Sequence, residues 1–207
     1  MRIENLILDI DGTLWDSRAL VAEGYNIQLR KESLSHLCLD AELLTAQFGK
    51  VKDAIADDIF GEIPVPERYN LIDRCMDMER EHMRQDECRI GYPAVRETLE
   101  QLAKKYRIFI VSNCECGYPE LVLDKMDLGA FVQDHLCFGD TRTTKGQTIL
   151  TLMKKHNLKN CIYVGDTQGD YEATLEAGIP FVWASYGFGN PTGYDKKIDT
   201  FADLLNL

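Results

Sequence analysis

From about residue 90 onward the chain alternates segments of helical period with short apolar runs, and this alternation constrains its fold more than any other feature. Val95, Leu99, Leu102 and Tyr106 share a helical face, and residues 107–111 then form an apolar strand. The pattern continues with a helix over 119–126, a brief strand over 136–138, and a helix carrying Ile149, Leu152, Met153 and His156. It ends with a strand over 161–164, a helix over 171–177 closed by Gly178, and a strand over 180–184. Strands separated by helices pair in parallel, and a parallel sheet is covered on both faces. Residues 3–9, rich in Ile and Leu, read as one more buried strand at the start of the chain.

Between that first strand and the rest lies a block of different character. Leu20, Ile27 and Leu34 recur at seven-residue intervals, Leu44, Phe48, Val51, Ile55 and Ile59 at steps of four, three, four and four, and Tyr69, Ile72, Met76 and Met83 share a face after Pro66. The expected organisation is an α/β core formed by residues 1–15 and 90–207, interrupted by an all-helical insertion over residues 16–89. An insertion at that place is expected over the carboxyl ends of the strands, where open parallel sheets bind ligands.

Charge and hydropathy narrow the function. With 23 Lys and Arg against 34 Asp and Glu, the formal net charge is -11, which disfavours nucleic-acid binding. No apolar stretch approaches the roughly 18 residues that span a bilayer. Met1-Arg2-Ile3-Glu4 places an acid where a signal peptide would turn apolar, so a cytoplasmic location is expected. The cysteines at 38, 75, 88, 114, 116, 137 and 161 show no C-x-x-C spacing, as suits reduced thiols. Cys114 and Cys116 form a close pair and read as loop thiols, because two sulfurs lack the further ligands of a zinc site.

Acids stand at the strand tips. Asp9 and Asp11 flank Ile10, so an extended backbone sends both carboxylates one way and the isoleucine the other. Asp166 and Asp170 follow the strand over 161–164, and a parallel sheet brings their end level with the first. Four acids converging in a cleft call for a hard cation with oxygen ligands, for which Mg²⁺ is the expected ion. Two further polar stops occupy comparable places: Ser112-Asn113 after a strand and Lys145 at the start of a helix.

The chain resembles the haloacid dehalogenase-like (HAD) superfamily, in its phosphoglycolate phosphatase-like branch with a helical cap. Four motifs carry the resemblance in order: Asp9-Ile10-Asp11-Gly12-Thr13-Leu14, Val111-Ser112-Asn113, Lys145, and Gly165-Asp166-Thr167-Gln168-Gly169-Asp170. It implies a Rossmann-like core and a Mg²⁺-dependent phosphatase acting on a small phosphorylated metabolite. It further implies that Asp9 attacks phosphorus to form an aspartyl-phosphate, and that Asp11 protonates the leaving alkoxide and later activates water. Asp9, the backbone carbonyl of Asp11, and Asp166 would hold Mg²⁺, with Asp170 assisting directly or through water. Ser112 and the Asn113 amide would bind phosphoryl oxygens, and Lys145 would balance the charge.

Asp11 favours phosphate esters over haloacids or phosphonates, whose leaving groups need no such proton donor. A sugar phosphomutase, or a non-catalytic phosphometabolite-binding protein, would share these motifs. Gly146 follows Lys145 where the family commonly has proline. Trp15 is expected to pack at the hinge of core and insertion. Arg18, Arg30, Lys31 and Arg142 are cations that could meet a second anionic group, though helix-surface charges are usually solvated. The glycines at 187, 189 and 193 do not fit a dinucleotide fingerprint, and no Walker sequence or histidine ligand spacing occurs.

Overall fold

A computed structural model describes residues 2–86 and 90–207. Cys88 and the expected boundary at residue 89 lie outside the described residues. The chain divides into two compact units, Met1–Asp16 with Ile90–Leu207, and Ser17–Arg89.

Strand β1, Asn5–Leu8, is buried at all four positions, as a strand covered on both faces must be. The helical unit follows with α1 (Arg18–Lys31), α2 (Ala41–Thr45), α3 (Lys52–Ile59) and α4 (Glu67–Gln85). Its interior forms where α1 packs on α4, burying Tyr25 and Leu29 of the first and Leu71, Ile72, Cys75 and Met83 of the second. The single run expected through Leu44 and Ile59 is instead two helices. Asp40 starts α2 by accepting from the Leu43 amide, and Gly49 at φ 85° turns the chain before α3.

The α/β unit continues with α5 (Val95–Leu102), β2 (Arg107–Ser112), α6 (Tyr118–Lys125), β3 (Asp134–Cys137), α7 (Phe138–Thr141), α8 (Lys145–His156), β4 (Cys161–Gly165), α9 (Gln168–Ala177), β5 (Phe181–Ala184) and β6 (Lys196–Ile198). Among the described residues the six strands are parallel, in the order β3-β2-β1-β4-β5-β6. This is a Rossmann-like sheet. Strand β6 gives no periodic signal in the sequence, because it is a three-residue edge strand with only Ile198 buried.

The register places the functional edge. Leu8 lies opposite Ile110 on one side and Val164 on the other, so the chain ends of β1, β2 and β4 reach the same level. The order reverses at β1, and a parallel sheet opens a ligand crevice where its order reverses. Beneath that edge, Ile7, Phe109, Val111, Ile149, Leu152, Tyr163 and Phe181 form one closely packed cluster. Burial of these side chains, each worth about 1.5–3 kcal/mol, holds the strand ends in register. Among the described residues no helix is long and apolar enough to cross a membrane.

Candidate active site

The first strand delivers its two acids into different surroundings. Asp9 is buried and its amide still bonds to Val164 across the sheet at 2.9 Å. Ile10 turns into the core, and the Thr13 and Leu14 amides bond back to its carbonyl at 3.1 and 2.7 Å. Gly12 makes this turn at φ 78°, and a Cβ there would lie 2.2 Å from Asp166 Oδ2. Only glycine meets both demands. Asp11 Oδ1 accepts from Trp15 Nε1 at 2.8 Å and from the Tyr118 hydroxyl at 2.7 Å, which aims its carboxylate. Trp15 is fully buried in the α/β unit, with its ring edge-on to Tyr118.

Asp9, Asp166 and Asp170 come together: carboxylate oxygens of the three lie within 4.8 Å of one another, all buried. Lys145, the first residue of α8, reaches into the group. Its Nζ is 2.6 Å from Asp170 Oδ1 and 3.1 Å from Asp9 Oδ1. Thr144 starts that helix by accepting from the Gln147 amide, so a helix cap fixes where the lysine emerges.

Asp170 has its acceptor capacity filled. Besides Lys145, the Tyr163 hydroxyl lies 3.2 Å from Oδ1, and Oδ2 receives the Asp166 amide, the Thr167 amide and the Thr167 hydroxyl at 3.1, 2.9 and 2.7 Å. The Asp170 amide returns a bond to Thr167 Oγ1, so the acid also closes the capping box of α9. Asp166 contrasts with it. Its Oδ2 accepts from the Phe188 amide at 2.6 Å, while Oδ1 is buried without a hydrogen-bond partner. An unpaired carboxylate oxygen in the interior is costly.

The electrostatics follow from these contacts. Burial pushes Asp9 up to about 7 against the pull of Lys145, with Asp170 and Asp11 adding to the rise. Burial, then Asp170 and Asp9, drive Asp166 far above the usual carboxylate range. Burial opposes charge on Asp170 as well, but Lys145 and Thr167 more than offset it and hold this acid below its ordinary value. Lys145 keeps its proton despite burial because Asp170 and Asp9 face it. Lys145 therefore neutralises Asp170, leaving Asp9 and Asp166 short of positive charge. The all-oxygen donor set, the charge deficit and the orphaned Asp166 Oδ1 together fit a hard divalent cation such as Mg²⁺.

Ser112, buried, ends β2, the strand paired with β1, and Asn113 follows it half-buried at the same sheet edge. Arg142 is not a spare cation: its guanidinium makes a two-pronged bond with Glu115 at 3.0 and 2.9 Å. Several groups that shape the site are not apparent in the sequence, namely the Phe188 amide, the hydroxyls of Tyr163, Thr167 and Tyr118, and Trp15 Nε1. The loop at 185–189 offered a signal in its glycine-flanked aromatics, and Tyr186 anchors it by donating to the Thr13 carbonyl at 2.9 Å.

Comparison with known proteins agrees with this architecture. The family described as haloacid dehalogenase-like hydrolase matches residues 6–184. The chain belongs to that family and is a hydrolase of its phosphoglycolate phosphatase-like branch. It is 28% identical to a phosphoglycolate phosphatase of Pseudomonas syringae pv. tomato, over 98% of this chain and 77% of the relative. It is 26% identical to the pyrophosphatase PpaX of Bacillus velezensis, over 100% of this chain and 96% of that one. The crystal structure of a predicted phosphoglycolate phosphatase from Haemophilus somnus 129pt shares the fold, with a TM-score of 0.85, 24% identity, and coverage of 100% of this chain and 98% of that chain.

Proposed function

We propose that the chain is a Mg²⁺-dependent phosphatase that hydrolyses a small phosphorylated metabolite through an aspartyl-phosphate on Asp9. The observation that carries this reading is the buried Asp9, Asp166 and Asp170 group with Lys145 bonded into it and one Asp166 oxygen unpaired. Mg²⁺ would be held by Asp9, Asp166 and the Asp11 carbonyl, where it offsets the repulsion between an anionic carboxylate and a phosphate dianion. The filled hydrogen-bonding of Asp170 favours an indirect part for that acid, holding Lys145 and the 166–167 turn.

The chain's own residues then divide the work. An Asp9 oxygen bonds to phosphorus as the ester P–O bond breaks, and Asp11 gives its proton to the departing alkoxide. Trp15 and Tyr118 hold Asp11 for that transfer. Ser112, the Asn113 amide and Lys145 stabilise the phosphoryl oxygens. Water next attacks the aspartyl-phosphate while Asp11 takes its proton, which restores both acids. Substrate selection would fall to the helical insertion and to the loops beside the site, and the names of the relatives make phosphoglycolate and pyrophosphate the first compounds to try.

The test is phosphate release from an aryl phosphate and a panel of small phosphorylated metabolites, with and without chelator. Chelator-sensitive release supports the reading; isomerised sugar phosphate in place of free phosphate would identify a mutase, and no turnover of any compound would leave a binding protein. The apparent Mg²⁺ affinity should fall as pH drops below about 7, by about tenfold per unit for one displaced proton. Below that pH the Asp9 carboxyl holds a proton that the cation must displace, and Asp166, raised by burial as well, steepens the fall where it too is protonated. Affinity independent of pH between 5 and 8 would remove Asp9 from the metal site.

Asp11→Asn is expected to lower kcat about 10²–10⁴-fold and to accumulate phosphoenzyme, visible by intact mass, because water lacks its base. Unchanged kcat would reassign the proton transfers.

A further inference from the structure

A second cluster of ligand-type side chains lies in the α/β unit, apart from the acid group. Cys116 is in the loop between β2 and α6, Cys137 ends β3, and Asp140 is in α7; one sulfur or oxygen atom of each lies within 4.8 Å of the other two. Cys116 Sγ is 3.4 Å from Asp140 Oδ1, and Cys137 Sγ is 3.2 Å from Asp140 Oδ2. A tetrahedral zinc ion, with bonds of about 2.3 Å to sulfur and about 2.0 Å to oxygen, has sulfur-to-oxygen edges of about 3.5 Å. Each sulfur thus stands at about that distance from the carboxylate oxygen nearer to it, and the three ligand atoms are close enough to share one ion.

Two features of the backbone build this arrangement. The Gly139 amide bonds to the Cys114 carbonyl at 3.0 Å and ties the two segments together. A Cβ on Gly139 would lie 2.4 Å from the Cys116 nitrogen and 2.7 Å from its sulfur, so the approach depends on glycine there. The carboxylate is also oriented in advance, since Asp140 Oδ2 accepts from the Cys137 amide at 2.8 Å. Cys114 adjoins the group through a hydrogen bond to Cys137. Cys137 is buried while Cys116 is exposed, which gives the cluster both a floor and an opening to solvent.

We propose that Cys116, Cys137 and Asp140 form a second cation site, selective for a thiophilic divalent ion of the zinc type. Two sulfurs and one carboxylate suit such an ion, whereas the all-oxygen group around Asp9 suits a hard one. Binding converts both thiols to thiolates: each S–H bond yields its proton to solvent, two protons leave for each ion bound, and no oxidant takes part. Three protein ligands leave a fourth position for water. The ion would pin the loop that continues directly from Ser112 and Asn113.

Cobalt(II) titrated into the full chain in excess Mg²⁺ reports on this directly, because cobalt bound to thiolate absorbs in the near ultraviolet and cobalt bound to oxygen alone does not. A saturable band at one equivalent, displaced by zinc, is expected from the unaltered protein and from Asp166→Asn. Cys116→Ser should weaken the zinc affinity by about a hundredfold or more, since even changes outside the ligand shell cost 10–100-fold. In the unaltered protein, zinc should also slow alkylation of Cys116, read by peptide mass. Absence of the thiolate band, a band unchanged in Cys116→Ser, or Cys116 alkylated equally fast with zinc would each overturn the site.

Discussion

Asp9→Asn should reduce kcat by on the order of 10⁴-fold or more while the variant unfolds at the same temperature as the parent or higher. The amide has nearly the shape of the carboxylate but cannot form an acyl-phosphate. Stability is retained because the folded protein disfavours charge at this position: burial raises Asp9 to about 7. An acid with a raised folded value binds its proton more tightly when folded, so the metal-free protein loses stability as pH climbs from the unfolded value near 4 towards 7. Asparagine carries no such penalty above that range, and Lys145 keeps Asp170 as a partner. Kinetics with thermal unfolding at pH 8, without metal, test both halves. Near-normal turnover would overturn the nucleophile, and a large fall in Tm would show that Asp9 is a structural acid.

Removing the lysine should do the opposite to stability. In Lys145→Ala, Asp170 remains fully buried without the cation that keeps it ionised. Breaking a buried pair in this way costs about 3–5 kcal/mol, a fall in Tm on the order of 10 °C for a chain of this size. Activity should fall about 10²–10³-fold, as when a donor to a developing charge is lost. A second substitution separates the causes: Asp170→Asn in the Lys145→Ala background should recover part of the stability and none of the turnover. If the double variant is no more stable than the single one, the stranded Asp170 charge is not the source of the loss.

The α/β alternation and the helical periods that precede it are both legible in the sequence because each depends on local periodicity. Apolar residues at Ile108, Phe109, Ile110 and Val111 read as a strand whichever strand lies beside them. The edge strand β6 is not legible, since Lys196 and Lys197 are polar and pairing with β5 supplies what the sequence pattern lacks. The break between α2 and α3 is lost for a related reason: the hydrophobic steps from Leu44 to Ile59 continue across it, and Gly49 overrides them.

The candidate site divides along the same line. Asp9, Asp11, Ser112, Lys145, Asp166 and Asp170 are visible because each stands at a strand tip or helix start, a position set within a few residues of itself. Their partnerships depend on strand order and register, which join residues more than 100 positions apart, as in the bond from Lys145 to Asp9. Burial then separates acids that look alike on paper: Asp170 is saturated by five donors, Asp166 keeps an unpaired oxygen, and Asp11 is turned to Trp15 and Tyr118. Cys116 and Cys137 follow the same rule. Short-range chemistry in the chain marks which residues can act, and long-range packing selects which of them meet.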